Sequence, residues 1–163
     1  AGFQFTRMRN RMNSINIKKL TETATTPTYG TSGAACFDLY ADSINLQSWG
    51  VIVDTGIAFE VPEGYVMMVY SRSGMGFKYG IVLRNGTGVI DSDFRDSVKV
   101  ALCASVDLSY GRENVNVETL INIQRGDRIA QAMIIPVTQN TFNEVSELSD
   151  TTRGTNGLGS TGQ

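Results

Sequence analysis

The sequence VIVDTGIAFEVPEGYVMMV, residues 51–69, contains three short runs in which apolar side chains occupy every second position. The runs cover residues 51–53, 57–59 and 65–69. Apolar side chains at every second position indicate a β-strand that buries one of its faces. Pro62-Glu63-Gly64, between the second run and the third, is typical of a tight turn. This stretch therefore predicts short strands joined by turns.

The same pattern recurs along the rest of the chain, at residues 15–17, 98–102, 115–117 and 129–137. Further turn signals are Asn85-Gly86, Tyr110-Gly111 and Arg125-Gly126-Asp127. No segment keeps a 3.6-residue apolar period for ten residues, and one short helix is expected near Ser73 to Lys78. Many short strands without long helices predict an all-β domain, arranged as a sandwich or a barrel.

Composition and charge indicate one ordinary globular domain. The chain has 163 residues, 41% of them hydrophobic, which is enough for one buried core. Its 14 basic and 16 acidic residues give a net charge of -2, so no general attraction to nucleic acid is expected.

No apolar run is long enough to span a bilayer, and residues 1–13 lack the apolar stretch of a secretory signal. We therefore expect a cytoplasmic protein, in the host cytosol if the chain is viral, with a nuclear location left open. Residues 1–13 are interpreted as a disordered segment or a vector remnant.

Cysteine and histidine content limits the chemistry of the chain. Cys36 and Cys103 lie far apart without a paired spacing, which favours free buried thiols over a disulfide. The chain has no histidine, so a zinc site is not expected and a histidine acid, base or nucleophile is excluded.

Small, charged and hydroxyl residues interrupt the strand pattern at five places, and we expect function there. The first is residues 34–41, where Asp38 interrupts an apolar run and, taken alone, is typical of a turn or cap. The second is residues 71–76, where an arginine, two serines and two glycines could hold a phosphate at the start of a helix. This segment lacks the Gly-Lys-Ser/Thr ending of a Walker loop, and a plain turn is the alternative.

The other three interruptions lie in the second half of the chain. A glycine-bearing hairpin at residues 85–95 carries two carboxylates, one of them Asp91, which could bind a metal, orient a water molecule or solvate a turn. Residues 125–131, taken alone, are a tight turn that enters a strand. The tail, residues 153–163, combines four glycines and several hydroxyls with Arg153 and could cradle a polyphosphate. A frayed, linker-like terminus is the alternative for the tail.

Together and in this order, the five segments resemble the five sequence motifs of the trimeric dUTP pyrophosphatase (dUTPase) family, which has viral and phage members. The strongest agreement is at residues 88–93, 126–131 and 159–162. The resemblance implies an all-β fold, a distorted jelly-roll-like β-barrel with one short helix. It also implies a homotrimer with shared active sites, in which each chain has a barrel domain at residues 14–148 and a flexible C-terminal arm at residues 149–163 that closes over the site.

The resemblance implies hydrolysis of dUTP to dUMP and pyrophosphate, which limits uracil incorporation into DNA and supplies dUMP. Asp91 matches the catalytic carboxylate that orients the attacking water, and Arg153 matches a tail residue that acts like an arginine finger. The implied cofactor is Mg2+, held mainly by the substrate phosphates and contacting Asp38 through water.

Substrate-binding residues also follow from the resemblance. The implied phosphate contacts are Arg72, Ser73, Gly74, Gln131, Gly159, Ser160 and Thr161. The implied base and sugar contacts are Asn85, Gly88, Val89, Ile90, Phe94 and Leu158. Phe94 stands where the family usually has a tyrosine, and Leu158 stands where the tail usually places a phenylalanine over the uracil ring. We therefore expect a weaker or differently ordered lid, because leucine cannot stack as an aromatic ring does.

Other functions stay open at this point. A deoxycytidine triphosphate deaminase shares the fold and parts of the motifs, but it needs a deaminating acid and base. The segment at residues 104–118 is longer than in most relatives; it is either a neutral surface insertion or the binding element for a regulatory protein partner of a nucleotide-responsive protein. A capsid or lectin-like sandwich would leave the five polar segments unexplained. We expect dUTP as the ligand, and neither nucleic acid nor a membrane as a partner.

Overall fold

A computed structural model of the chain describes residues 14–105 and 120–155. Its strands are β1 (Asn16–Lys19), β2 (Thr28–Tyr29), β3 (Phe37–Tyr40), β4 (Ser43–Gln47), β5 (Gly50–Asp54), β6 (Ile57–Glu60), β7 (Tyr65–Tyr70), β8 (Ile81–Leu83), β9 (Gly88–Ile90), β10 (Lys99–Ala104) and β11 (Arg128–Pro136). Helix α1 (Ser73–Tyr79) lies between β7 and β8. Strands therefore dominate this part of the chain, as the alternating pattern predicts.

The strands form three antiparallel sheets. Five strands have the order β2-β3-β11-β7-β9, four have the order β4-β5-β10-β8, and β1 pairs with β6. Among residues 14–105 and 120–155 these sheets do not close into a barrel, because β2, β9, β4 and β8 each pair on one side only. The all-β prediction of a distorted jelly-roll-like fold with one short helix is confirmed, and the fold is built from separate sheets.

The alternating apolar residues form the core. Val51 and Val53 of β5 are fully buried and pair with Leu102 and Val100 of β10, which are also buried. Directly opposed residues project from the same face, so this face of the sheet is continuously apolar. Burying a side chain of this size stabilises the fold by about 1.5–3 kcal/mol. Other fully buried side chains of the same core are Leu39, Ile57, Val61, Met67, Ile81, Val98 and Ile129.

The longest strand, β11, joins the two strands that carry most of the polar segments. It pairs with β3 through Arg128–Ala132 and with β7 through Gln131–Pro136. An irregularity between Arg128 and Ala130 shifts the register at the start of the strand. As a result, the beginning of β11, the end of β7 and the middle of β3 meet at one end of the sheet.

The predicted turns and helix are confirmed with small changes in their bounds. Gly64, Gly86 and Gly126 adopt φ values of 78°, 72° and 88°, which favour glycine. Helix α1 extends one residue beyond the predicted Lys78, to Tyr79, and is capped by Gly80, whose left-handed backbone places its amide to donate to the Gly76 carbonyl oxygen. The predicted strand at residues 115–117 and the turn at Tyr110-Gly111 lie outside the described residues.

The cysteines are less buried than predicted. Cys36 and Cys103 are free, as expected, but both are half-buried. Burial raises the pKa of the Cys36 thiol, and the nearby Asp38 carboxylate raises it further. Within the described residues, no helix has the length and apolar character required to cross a membrane.

Candidate active site

Asp38 lies in the middle of the five-stranded sheet, beside residues of two other strands. It pairs in register with Gln131 of β11, and Gln131 pairs in turn with Tyr70, the last residue of β7. Opposed residues of neighbouring strands project from the same face of a sheet. The sheet therefore places the side chains of Asp38 and Gln131 next to the loop that follows β7.

Two guanidinium groups hold the Asp38 carboxylate. Arg72 Nε lies 3.1 Å from Asp38 Oδ1, and Arg128 Nη1 lies 3.4 Å from Asp38 Oδ2. Arg72 Nη1 also donates a hydrogen bond of 2.9 Å to the carbonyl oxygen of Arg128. The Asp38 side chain is 14% exposed and that of Arg72 is 22% exposed, so solvent screens this pair less than a surface ion pair. With two cations around one carboxylate, the cluster has a net positive charge that suits a phosphate ligand.

The loop between β7 and α1 is fixed by the strands around it. Ser71 Oγ accepts a hydrogen bond of 2.9 Å from the Leu83 amide, and the Ser71 carbonyl oxygen accepts one of 2.9 Å from Gln131 Nε2. Ser73 and Gly74 are exposed at the start of α1. Because the first amides of a helix have no acceptor within the helix, this loop can bind a phosphate. Gln131 holds the loop in place, and its direct contact with phosphate stays a prediction.

The hairpin that follows β8 carries the edge strand β9. Gly88 lies so close to β7 that a Cβ atom at this position would be 3.0 Å from Val69 Cβ. One side of the β9 backbone pairs with β7, and its other side points away from the sheet. The outward N–H and C=O groups of β9 can therefore pair with the edge of a planar base.

Asp91 follows β9 directly, and its side chain is exposed. The Phe94 amide donates a hydrogen bond of 3.2 Å to the Asp91 carbonyl oxygen and closes a turn. Arg95 Nη1 donates to the carbonyl oxygens of Ser92 and Phe94, at 2.7 Å and 2.9 Å, and supports the same turn. The turn presents the Asp91 carboxylate to solvent immediately beyond β9.

A cleft of about 160 Å³ lies beside this hairpin. It is lined by Val69, Leu83, Asn85, Gly88, Val89, Ile90, Lys99, Val100 and Ala101. The structure thus brings together four residues predicted to contact the base: Asn85, Gly88, Val89 and Ile90. Phe94, from the same list of predicted base and sugar contacts, lies in the turn beyond Asp91 and is 40% exposed.

Asp91 and the phosphate loop lie toward opposite ends of β7, with the base contacts of β9 between them. β9 runs antiparallel to β7 with Ile90 opposite Met67. Extending this register by one residue places Asp91 opposite Val66, and the five steps from Val66 to Ser71 span about 16 Å at about 3.3 Å per residue. Within one chain, Asp91 is therefore well separated from the loop that begins at Ser71, although Gly88 of the same hairpin pairs with Val69 near that loop.

Residues 22–162 match the family model described as dUTPase. The chain belongs to the dUTPase family. It is 42% identical over 151 residues to the deoxyuridine 5'-triphosphate nucleotidohydrolase of Nautilia profundicola, covering 91% of this chain and 99% of that protein. The protein of the same name from Helicobacter hepaticus is 42% identical over 150 residues, with 91% and 88% covered.

Solved structures of dUTPases have the same fold. A mutant dUTPase of Staphylococcus bacteriophage 80alpha with dUpNHpp superposes with a TM-score of 0.76 and 25% identity, covering 93% of this chain and 99% of that chain. The dUTPase from phage phi11 of S. aureus superposes with a TM-score of 0.69 and 23% identity, covering 85% and 100%. Their likeness confirms the dUTPase fold for the sheets described above.

Part of the predicted dUTPase site lies outside the described residues: Leu158, Gly159, Ser160, Thr161 and nearly all of residues 104–118. Arg153 is exposed, beside a turn in which the Gly154 amide donates to the Thr151 carbonyl oxygen at 3.1 Å and to Thr151 Oγ1 at 3.0 Å. The roles assigned to these residues by resemblance stay predictions.

Sequence reasoning missed the role of Arg128 in this dUTPase-family site. Arg128 lies in the fourth of the five segments, but no local pattern indicates that its side chain contacts Asp38, 90 residues earlier. Ser71 belongs to the second segment, expected only to hold a phosphate or form a plain turn, whereas its hydroxyl and carbonyl groups fix the loop. The polar character of both residues was the only signal available.

Asp42 is a third residue that the sequence did not single out. Its carboxylate is buried and accepts a hydrogen bond of 2.8 Å from Thr21 Oγ1, while Arg125 Nε lies 3.6 Å from Oδ1 and donates to the Asp42 carbonyl oxygen at 2.9 Å. Burial by itself raises the pKa of the Asp42 carboxyl, but hydrogen bonds from Thr23 and Thr21 and the Arg125 guanidinium outweigh it and lower the pKa. These contacts anchor the loop that leads into Arg128.

The arrangement of the acidic side chains determines how a metal ion could be held. Within 14–105 and 120–155, no three Asp, Glu, Cys or His side chains cluster closely enough to hold an ion directly. Asp38 is the one carboxylate of the charged cluster around the phosphate loop, and two arginines already contact it. A carboxylate oxygen has further acceptor capacity, so Asp38 fits a metal-bound water better than a direct metal ligand.

Proposed function

We propose that this dUTPase-family chain hydrolyses dUTP to dUMP and pyrophosphate by attack of water on the α-phosphorus, which limits uracil incorporation into DNA and supplies dUMP. One observation carries the proposal: the cleft lined by Asn85 and β9 ends one residue before the exposed carboxylate of Asp91. A base in that cleft would bring its phosphates toward this carboxylate.

Selection of uracil follows from backbone groups and one amide. The outward N–H and C=O groups of β9, together with the Asn85 side chain, can match the donors and acceptors of uracil, whereas cytosine presents the reversed pattern. A site that leaves buried polar groups unpaired with the wrong substrate discriminates by about 10⁴-fold or more. The Phe94 ring can pack against the deoxyribose and leave no space for a 2′-hydroxyl, so ribonucleotides should be poor substrates.

Asp91 is the residue proposed to act on water. Its carboxylate accepts a hydrogen bond from the attacking water, orients it toward the α-phosphorus and takes its proton as the oxygen–phosphorus bond forms. A positioned general base of this kind contributes about 10²–10⁴-fold to the rate. The bond from the α-phosphorus to the bridging oxygen breaks, and pyrophosphate leaves.

The charged cluster at the other end of β7 is proposed to bind the phosphates. Arg72 supplies positive charge, and Ser73 and Gly74 supply hydroxyl and amide donors. Mg2+, when bound by the substrate phosphates, neutralises charge on the leaving pyrophosphate, and Asp38 would accept a hydrogen bond from its water shell. Arg153, Gly159, Ser160 and Thr161 of the tail are proposed to close over the phosphates, with Leu158 above the base.

A shared site explains why the two groups lie apart in one chain. A water-orienting carboxylate and a phosphate-binding loop must both contact neighbouring phosphates of one substrate, and about 16 Å along β7 is too far for that. We propose that Asp91 of one subunit meets the Ser71–Gly74 loop of another in a homotrimer, with the tail completing the site. The regulatory partner proposed for residues 104–118 and the cytoplasmic location stay predictions.

The test measures pyrophosphate release from dUTP, dCTP, dTTP and UTP side by side in the presence of Mg2+, with ammonia release from dCTP as a second assay. We expect turnover of dUTP only. Asp91→Asn should still bind dUMP but lose at least about 100-fold in kcat. Asp93→Asn, a matched charge change in the same turn, should cost much less. Preference for UTP, deamination of dCTP, or an Asp91→Asn variant with wild-type turnover would overturn the proposal.

A further inference from the structure

The single tryptophan of the chain stacks on the arginine that precedes the base cleft. Trp49 is half-buried in the turn between β4 and β5, and the guanidinium carbon of Arg84 lies 4.1 Å from the centroid of its ring. A cation this close to an aromatic face is attracted by the ring quadrupole. This contact joins the β4–β5 turn to the start of the hairpin that carries β9.

The position of Trp49 is fixed by its neighbour. Gln47 pairs with Gly50, so Ser48 and Trp49 form a two-residue hairpin turn. Gly50 packs so closely against β10 that a Cβ atom there would lie 2.2 Å from the Leu102 carbonyl oxygen. The Trp49 ring is therefore attached to a backbone that has little freedom to move away from β10.

Arg84 is held at both its backbone and its side chain. Its amide donates a hydrogen bond of 2.8 Å to the carbonyl oxygen of Ala101, a residue that lines the cleft. Its side chain reaches Trp49, and the next residue, Asn85, lines the cleft. Because Arg84 and Asn85 are adjacent in the chain, a displacement of Arg84 would also move Asn85.

We propose that Trp49 and Arg84 are positioning residues that hold the Asn85 hairpin against β10 and set the width of the base cleft. The inference rests on the proposed function, because it takes the cleft as the site of the uracil ring. Thymine differs from uracil by one methyl group, and a hydrophobic contact of that size gives about 10–200-fold discrimination in a well-fitted site. A cleft whose wall is held less firmly discriminates less.

The test compares the binding of dUMP and dTMP by calorimetry, which needs no turnover, and then kcat and KM for dUTP. Arg84→Ala should weaken dUMP binding and raise KM by about two- to five-fold, the effect of losing one exposed cation–π contact. It should bring the dissociation constants of dUMP and dTMP closer together and leave kcat within about two-fold. Trp49→Leu should give the same changes, and the double variant should add little, because the two side chains act as one pair.

Conservative and control variants separate this role from a general structural effect. Arg84→Lys keeps a cation over the ring and should restore most of the dUMP affinity. In Arg84→Ala, acrylamide should quench Trp49 fluorescence more strongly, since one face of the ring loses its cover. Lys18→Met, which removes an exposed cation from β1, should change neither affinity nor quenching.

Two results would each overturn the positioning role: unchanged dUMP affinity in both Arg84→Ala and Trp49→Leu, or a fall in kcat with no change in affinity. The second result would indicate that Arg84 acts on the phosphates instead. Failure of the proposed function is a different outcome, in which the wild-type chain binds dUMP but releases no pyrophosphate from dUTP. Unchanged quenching in Arg84→Ala would be a third result that overturns the positioning role, because it would show that the stack does not form in solution.

Discussion

Replacing Gly50 by alanine tests whether the β4–β5 turn is as tightly packed on β10 as the structure indicates. Gly50 has a φ of 153°, and a Cβ atom there would lie 2.2 Å from the Leu102 carbonyl oxygen. Carbon and carbonyl oxygen atoms in favourable contact are about 3.3–3.6 Å apart. Alanine would therefore overlap the backbone of β10 by about 1 Å, and either the turn or the strand would have to move.

The expected loss of stability in Gly50→Ala has two parts, backbone strain and overpacking, and two other glycines of the chain allow the two parts to be compared. A backbone conformation that only glycine adopts easily costs about 1–3 kcal/mol, and overpacking a buried contact typically adds about 1–3 kcal/mol. Gly64 also has a positive φ, 78°, but a Cβ atom there would meet nothing within 4 Å. Gly33 has open space without a positive φ. We expect Gly33→Ala to be neutral or stabilising by up to about 1 kcal/mol, Gly64→Ala to cost about 1–2 kcal/mol, and Gly50→Ala to cost about 3–5 kcal/mol.

Urea unfolding followed by far-ultraviolet circular dichroism measures these differences. All variants must be compared at one protein concentration, because association changes the apparent free energy of unfolding. The steric explanation is wrong if Gly50→Ala loses no more stability than Gly64→Ala. In that case the turn can move away from β10, and the fixed position of Trp49 that depends on it is also refuted.

Two further predictions concern the carboxylates of the site region. The lowered pKa of Asp42 means that the charged form stabilises the fold above its unfolded pKa of about 4, and that this contribution is lost as the pH falls through the lower folded pKa. The difference in free energy of unfolding between the wild type and Asp42→Asn should therefore be constant at neutral pH and shrink below about pH 4. Urea titrations at several pH values measure this difference, and a difference that does not change with pH would contradict the prediction. Asp38→Asn should raise the Mg2+ concentration for half-maximal dUTP hydrolysis by about 10–100-fold, whereas Glu63→Gln, on an exposed turn, should leave it unchanged. An unchanged Mg2+ requirement in Asp38→Asn would show that this carboxylate serves only the two arginines.

Local patterns were sufficient to predict the strands that form the core. In β5 and β10, buried apolar side chains alternate with exposed or half-buried side chains, because one face of each strand packs inward. This two-residue period is visible in the sequence itself. The turns at Gly64 and Gly86 were predictable for a similar reason, since a positive φ favours a residue without a side chain. Each of these features depends on residues that are close together in the chain.

Contacts between distant parts of the chain were not predictable in this way. The alternating pattern assigns a residue to a face of a strand, but it does not say which strand lies beside it. The contact of Arg128 with Asp38 requires β11 to lie beside β3, and the stack of Arg84 on Trp49 requires β8 and the β4–β5 turn to lie on either side of β10. Family resemblance supplied the functional residues, but it did not indicate that Arg128 contacts Asp38, although both lie in its motifs, and Arg84 and Trp49 lie outside those motifs.

The pairing of β7 with β9 gives the strongest physical reason to expect a shared site. Sequence order places the phosphate loop and the Asp91 hairpin 15 to 20 residues apart, which suggests that they could meet within one chain. The antiparallel register instead directs Asp91 toward the start of β7, while Ser71 follows its end. A strand inside a hydrogen-bonded sheet cannot shorten, so no local movement of the loop brings the two groups to one phosphate. The proposed homotrimer would supply the phosphate loop from a second subunit, and mixing Asp91→Asn subunits with Arg72→Ala subunits should then recover sites in which both residues are intact.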